Sequence, residues 1–204
     1  MRITGGEWAG RRLEKPKGPP VRTTLDHVRQ AIFNLIGERV AGARVLDLFS
    51  GSGALGIEAF SRGAAHVTFV DRSGFCIQAI RANLESLIPA FAGMTPSLGM
   101  TSSSGMTPPY AILRSDALAA IRRLAREGGS FDLILLDPPY GGRQARDSLI
   151  ALGRYAILTP LGLSVVEHDR RDSLPPEIEG AAGRLVLHQQ KRYGDTALTL
   201  YKRA

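Results

Sequence analysis

The run Arg44-Val45-Leu46-Asp47-Leu48-Phe49 passes directly into Ser50-Gly51-Ser52-Gly53 and then into a helical stretch over residues 54–61. An apolar segment, a glycine-interrupted turn and a helix with no linker between them form the strand–turn–helix unit of a parallel sheet. The unit recurs down the chain. Residues 66–70 read as a strand ending at Asp71, with a helix over about 74–87; residues 111–113 read as a short strand ending near Asp116, with a helix over 117–127. Phe131 and residues 133–136 make a strand apolar enough to be buried on both faces, followed by a helix over about 143–154. Residues 163–167 supply a fifth strand, and 184–188 with 197–201 a terminal antiparallel pair. This alternation predicts an α/β, Rossmann-like, doubly wound and mainly parallel seven-stranded sheet with an antiparallel C-terminal hairpin.

Two segments stand outside that rhythm. Residues 3–13, with glycines at Gly5, Gly6 and Gly10, are expected to form a short hairpin arm, joined to the rest by a Pro/Gly linker from Lys15 to Pro20. Beyond it, Thr24 is the expected N-cap of a helix whose apolar face carries Val28, Ala31, Ile32, Leu35 and Ile36. The predicted organisation is a basic arm over 1–22 and one domain over 23–204. Within that domain Gly-Met-Thr recurs from Gly93, Gly99 and Gly105, and residues 89–109 are expected to be a flexible insertion.

The formal net charge of +7 argues for a polyanionic partner. Residues 1–29 concentrate the excess: Arg2, Arg11, Arg12, Lys15, Lys17, Arg22 and Arg29 face only Glu7, Glu14 and Asp26. With Trp8 interleaved, this set is the expected nucleic-acid grip. The lone Cys76 excludes an internal disulfide, and four scattered histidines give no metal constellation. No apolar run approaches the ~18–20 residues of a membrane span, and no leader-like segment opens the sequence, so the expected compartment is the cytoplasm and the default state a monomer.

In an open parallel sheet, ligands lie beyond the carboxyl ends of the strands. Four polar features fall there: the Gly51/Gly53 turn, Asp71, Asp116 and Asp137. Gly51-Ser52-Gly53-Ala54-Leu55-Gly56 fits G-x-G-x-x-G, with Asp71 twenty residues after Gly51, which by itself is a dinucleotide fingerprint. Asp47, in the strand just before the turn, is expected to repel a pyrophosphate and to favour a cation. Asp137-Pro138-Pro139-Tyr140 has no evident part in hydride transfer. Two prolines stop the ladder and send the backbone out as a stiff segment bearing a carboxylate, carbonyls and an aromatic ring. Such a corner suits a planar substrate that carries an amine.

The order Asp-Leu-Phe-Ser-Gly-Ser-Gly-Ala-Leu-Gly (47–56), Asp71, Asp116 and Asp-Pro-Pro-Tyr (137–140) resembles class I S-adenosylmethionine-dependent methyltransferases that methylate amines. More narrowly, residues 3–13, Arg22-Thr23-Thr24-Leu25-Asp26-His27-Val28-Arg29 with Phe33-Asn34, and Tyr193-Gly194-Asp195-Thr196 resemble the bacterial 16S ribosomal RNA guanine-N2 methyltransferases of the small subunit, nearly end to end. The resemblance implies S-adenosylmethionine held by Asp47, Phe49, Ser50, Gly51, Ser52, Gly53, Asp71, Arg72, Asp116, Ala117 and Asp137. It also implies a 16S rRNA partner within small-subunit assembly particles. Asp137 and the Pro138 carbonyl are expected to accept the amine N–H groups, while Tyr140 stacks on the turned-out base. Two departures stand out: Thr23 occupies a position that is usually proline, and the Gly-Met-Thr insertion is foreign to the pattern. The competing readings are an adenine-N6 DNA methyltransferase, a glutamine methyltransferase and a non-catalytic RNA-binding module on the same scaffold.

Overall fold

A computed structural model describes residues 1–17, 25–88, 109–141 and 143–204. Arg22, Thr23, the expected cap Thr24 and nearly all of the 89–109 insertion therefore lie outside the described residues. In chain order the elements are α1 (Asp26–Ile36), a 3-10 turn (Gly37–Val40), β1 (Arg44–Leu48), α2 (Ala54–Ser61), β2 (His66–Asp71), α3 (Gly74–Leu87), β3 (Tyr110–Arg114), α4 (Ala117–Arg126), β4 (Phe131–Leu136), α5 (Gln144–Arg154), β5 (Leu158–Asp169), β6 (Glu177–Gly180), β7 (Gly183–Tyr193) and β8 (Thr196–Arg203).

The strands form one sheet in the order β3-β2-β1-β4-β5-β8-β7-β6. The first five are parallel, and β8, β7 and β6 add on antiparallel. The chain winds outward from β1 to β3, then returns to place β4 on the other flank of β1. This puts the topological switch point between the Gly51 turn and the Asp137 corner. The fold class is the one expected, with eight strands among the described residues where seven were expected. The additional strand is β6, a four-residue edge in which only Ile178 is buried, too short and polar to show a period.

Alternate residues along each strand feed two cores. Val45, Val67, Phe69, Leu133, Leu135 and Val165 face α1, α2 and α3. Leu46, Leu48, Val70, Ile134, Leu136 and Val166 face α4 and α5. Because both faces are covered, the central strands carry no polar alternation.

All eight residues of α2 are buried, which an ordinary surface helix would not allow. The arm is the reason. Residues 1–13 pair as a hairpin through the Arg2–Arg12 bridge, with Ile3 N–H donating to the Arg11 carbonyl at 3.0 Å and Gly10 N–H to that of Ile3 at 2.9 Å. Ile3 and Leu13 enter the core that α2 shares, and Trp8 packs on Phe60 with ring centroids 6.3 Å apart. Burying arm backbone requires partners for its N–H groups. Glu58 accepts from Thr4 N–H and Ser61 Oγ from Trp8 N–H, both at 2.8 Å.

Arg29 was expected among the phosphate-gripping residues, and the structure corrects this. Its side chain is wholly buried, paired with Glu58 at 3.2 Å and Asp26 at 2.9 Å, and it also donates to the Arg2 carbonyl. The arm hides it from any external anion.

Candidate functional site

The G-x-G-x-x-G turn assembles from local requirements. Strand β1 leaves the sheet through Phe49, whose φ of 63° is strained for a side chain with a Cβ. Gly53 opens α2 with φ 81°. A Cβ on Gly56 would lie 2.3 Å from a Phe69 ring carbon, so glycine there lets α2 sit directly on β2. Ser50 stitches the turn to β2: its Oγ accepts from Val70 N–H at 2.9 Å and lies 2.6 Å from the Asp47 carbonyl. Asp71 holds the turn from the other side, one carboxylate oxygen accepting from Gly51 N–H at 2.9 Å and the other from Ser73 N–H at 2.8 Å.

Beyond the strand ends lies a cavity of about 440 Å³, a size suited to a nucleoside-containing ligand. Its wall gathers the expected residues from four strand ends: Phe49, Ser50, Gly51 and Ser52 after β1, Asp71 at the end of β2 with Arg72 after it, Asp116 and Ala117 after β3, and Asp137 through Tyr140 after β4. Gly53 is not in the wall and acts through the backbone of the turn.

Asp47 requires a correction. It was expected to face the cationic end of a ligand, yet it is fully buried and does not line the cavity. One of its oxygens accepts from Gly56 N–H at 2.9 Å. Burial, reinforced by the charges of Asp137 and Asp71 and opposed by the Gly56 hydrogen bond, pushes its carboxyl up to about 8. Burial thus favours its protonated form, and it serves the turn as a strut. The acidity of the cavity comes from Asp71, Asp116 and Asp137, and three carboxylates around one space disfavour a pyrophosphate and favour a cation bearing hydroxyl and amino groups.

A pH dependence follows. The unfolded Asp47 ionises above about pH 4, whereas the folded form keeps its proton to about 8. Between these values the native state binds more protons, so this group makes stability fall as pH rises. Asp47→Asn should remove that slope while retaining an oxygen for Gly56 N–H. Urea midpoints at pH 5 and pH 8 check this, and equal slopes for the two proteins contradict it.

The structure adds residues that no motif indicated. The Tyr140 hydroxyl lies 2.8 Å from Thr196 Oγ1 and donates to Glu167 Oε1 at 3.3 Å, so β5 and β8 fix the ring at the edge of the cavity. The Tyr193–Thr196 motif gave the only hint, since its last residue proves to be this anchor. Met1, Ser115, Cys76 and Gln144 also line the cavity and lack any sequence signature. Asp116 caps α4, accepting from Leu118 N–H at 2.9 Å, which explains an acid at that strand end independently of any ligand.

Comparisons with known proteins agree with this geometry. The family model described as "Conserved hypothetical protein 95" matches residues 1–202. "Putative rRNA methyltransferase YlbH" of Bacillus subtilis is 37% identical over 203 residues, covering 100% of this chain and 99% of that protein. "Ribosomal RNA small subunit methyltransferase D" of Escherichia coli is 30% identical, covering 100% of this chain and 90% of its own length. Among solved structures, "Putative methyltransferase yhhF from Escherichia coli" superposes with a TM-score of 0.75 at 30% identity, over 100% of this chain and 97% of the other.

Proposed function

The chain belongs to the family described as conserved hypothetical protein 95, with rRNA methyltransferases among its relatives; from that premise we propose that it is an S-adenosylmethionine-dependent methyltransferase whose acceptor is the exocyclic N2 amine of a guanine in 16S ribosomal RNA. The observation that carries this reading is the shared cavity, in which the Asp137–Tyr140 corner faces the same space as the Gly51 turn, Asp71 and Asp116. The residues fit the cofactor. Ser50, Gly51 and Ser52 offer backbone to its amino-acid end, Asp71 can accept from its ribose hydroxyls, and Asp116 can accept from its adenine amine. The bound cofactor supplies an electrophilic methyl group on a cationic sulfur.

The protein's own work is positioning. A guanine amine is a weak nucleophile because its lone pair is delocalised into the ring. Acceptors at Asp137 and the Pro138 carbonyl draw both N–H bonds to one side and turn the lone pair toward the methyl group. Pro139 keeps this backbone extended, and Tyr140 supplies the face on which the base rests. Tyr140→Ala should lower activity by roughly ten- to a hundredfold, since base–aromatic stacking is worth ~1–3 kcal/mol. Tyr140→Phe keeps the face, loses the hydroxyl's bonds to Thr196 and Glu167, and should fall less far; equal losses in kcat/KM for the two variants argue against stacking.

Arg2, Arg11, Arg12, Lys15 and Lys17 are exposed on or just after the arm, and in this reading they hold phosphates around the target. The half-buried Trp8 braces the arm against α2. Arg12→Ala should weaken RNA binding and reduce the salt dependence of log K by about one charge. The acceptor is read as RNA within small-subunit assembly particles in the cytoplasm, approached by a monomer. Among the described residues no helix is long and apolar enough to cross a membrane.

The deciding experiment offers labelled cofactor in parallel to small-subunit particles, protein-free 16S rRNA, DNA and ribosomal protein, followed by nucleoside analysis. Label recovered as N2-methylguanosine is expected; label in N6-methyladenine or in glutamine overturns the reading.

A further inference from the structure

One buried amide bridges the arm and the cofactor turn. Asn83, on α3 and 3% exposed, accepts from Glu14 N–H at 2.7 Å, donates to the Glu14 carbonyl at 3.1 Å, and donates to the Ser52 carbonyl at 3.0 Å. All three bonds form only when the end of the arm and the glycine turn are both in place. Releasing either side leaves buried polar atoms without partners. The arm reaches the same cavity by a second route. Leu13 N–H donates to the Met1 carbonyl at 3.1 Å, one residue before the Asn83 clamp, and Met1 stands in the cavity wall. Arg11 further ties the arm to α3 through the Ser86 carbonyl at 2.8 Å.

Resting on the reading of the arm as an RNA grip, we infer that Asn83 is a positioning residue that couples RNA binding to cofactor binding. The two states are the arm end docked on Asn83 and the arm end released. RNA held by the arm's basic residues favours the docked state, and so does a cofactor pressed against the Ser52 turn. Each ligand therefore tightens the other by the same factor.

The test is equilibrium dialysis of labelled S-adenosylhomocysteine, without and with saturating unmethylated small-subunit particles, for the wild type, Asn83→Ala and Asn83→Asp. Asn83→Asp keeps the acceptor for Glu14 N–H and loses both donations. The particles should tighten cofactor-product binding by about tenfold in the wild type, the equivalent of roughly one buried hydrogen bond, and by a factor near one in both variants. A merely structural role for Asn83 shifts both dissociation constants and leaves their ratio unchanged, which overturns the inference. A ratio of one in wild type whose particles sediment with it and become methylated overturns the inference alone. Failure of the wild type to bind particles overturns the RNA reading and this inference together. Should neither variant fold, amide exchange in the wild type decides: particles should slow exchange at Gly51–Gly53 without cofactor, and unchanged exchange there overturns the coupling.

Discussion

Asp137→Ala should lower methyl transfer by about 10²–10⁴-fold, the range typical of a positioned acid–base group, while the affinity for S-adenosylhomocysteine changes far less. Asp137 stands half-buried at the end of β4 and lines the cavity beside Pro138 and Tyr140. Its proposed work falls on the acceptor amine, so its loss should appear in kcat with the substrate bound. Alanine removes both the directing acceptor and the site that takes the proton once nitrogen has been alkylated. Asp137→Asn keeps one acceptor oxygen but no charge, and should retain more activity than alanine. The measurement is single-turnover transfer from labelled cofactor, with a circular-dichroism melt to establish folding. A folded Asp137→Ala protein that methylates at the wild-type rate removes this residue from the chemistry.

The parallel half of the fold was legible because its strands are buried on both faces and its turns carry glycine, two signals that survive without tertiary context. The acids at the strand ends were legible for the same reason: Asp71, Asp116 and Asp137 each close an apolar run, and the topology brings all three to one cavity. What the sequence concealed was partnership between distant residues. Asp47 looked like its neighbours by type and position, but the Gly56 contact that closes α2 over it turns it away from the cavity. Arg29 looked like one more cation in a basic segment; only the partner at residue 58 reveals a buried pair. Glu167 and Thr196 lie on the antiparallel pair β5 and β8 and acquire meaning only through the Tyr140 hydroxyl. Asn83 lies on a helix face with no motif, and its three bonds reach back 31 residues to Ser52 and 69 to Glu14. Periodicity reports whether a position is inside; it cannot report what is waiting there.

Glu58→Ala should be the most destabilising single change in the arm-binding region, costing about 3–5 kcal/mol because it strands a buried charge. Among the described residues the Glu58 carboxylate receives four donors. One oxygen accepts from Thr4 Oγ1 at 2.8 Å and Arg62 Nε at 2.9 Å, and the other from Thr4 N–H at 2.8 Å and Arg29 Nε at 3.2 Å. Among the described residues, removing it leaves the Arg29 guanidinium with only the half-exposed Asp26 and the Arg2 carbonyl, and leaves Thr4 N–H without an acceptor at the arm's docking point. For a chain of this size the melting temperature should fall by about 6–20 °C. Because desolvation nearly offsets attraction in such pairs, the double replacement Glu58→Leu with Arg29→Met should recover much of the loss, which separates a stranded charge from a lost contact. The arm should suffer more than the sheet: amide exchange at Ile3 and Gly10 should accelerate in Glu58→Ala beyond what global destabilisation produces. If melting and arm exchange are both unchanged, α2 does not hold the arm through this carboxylate.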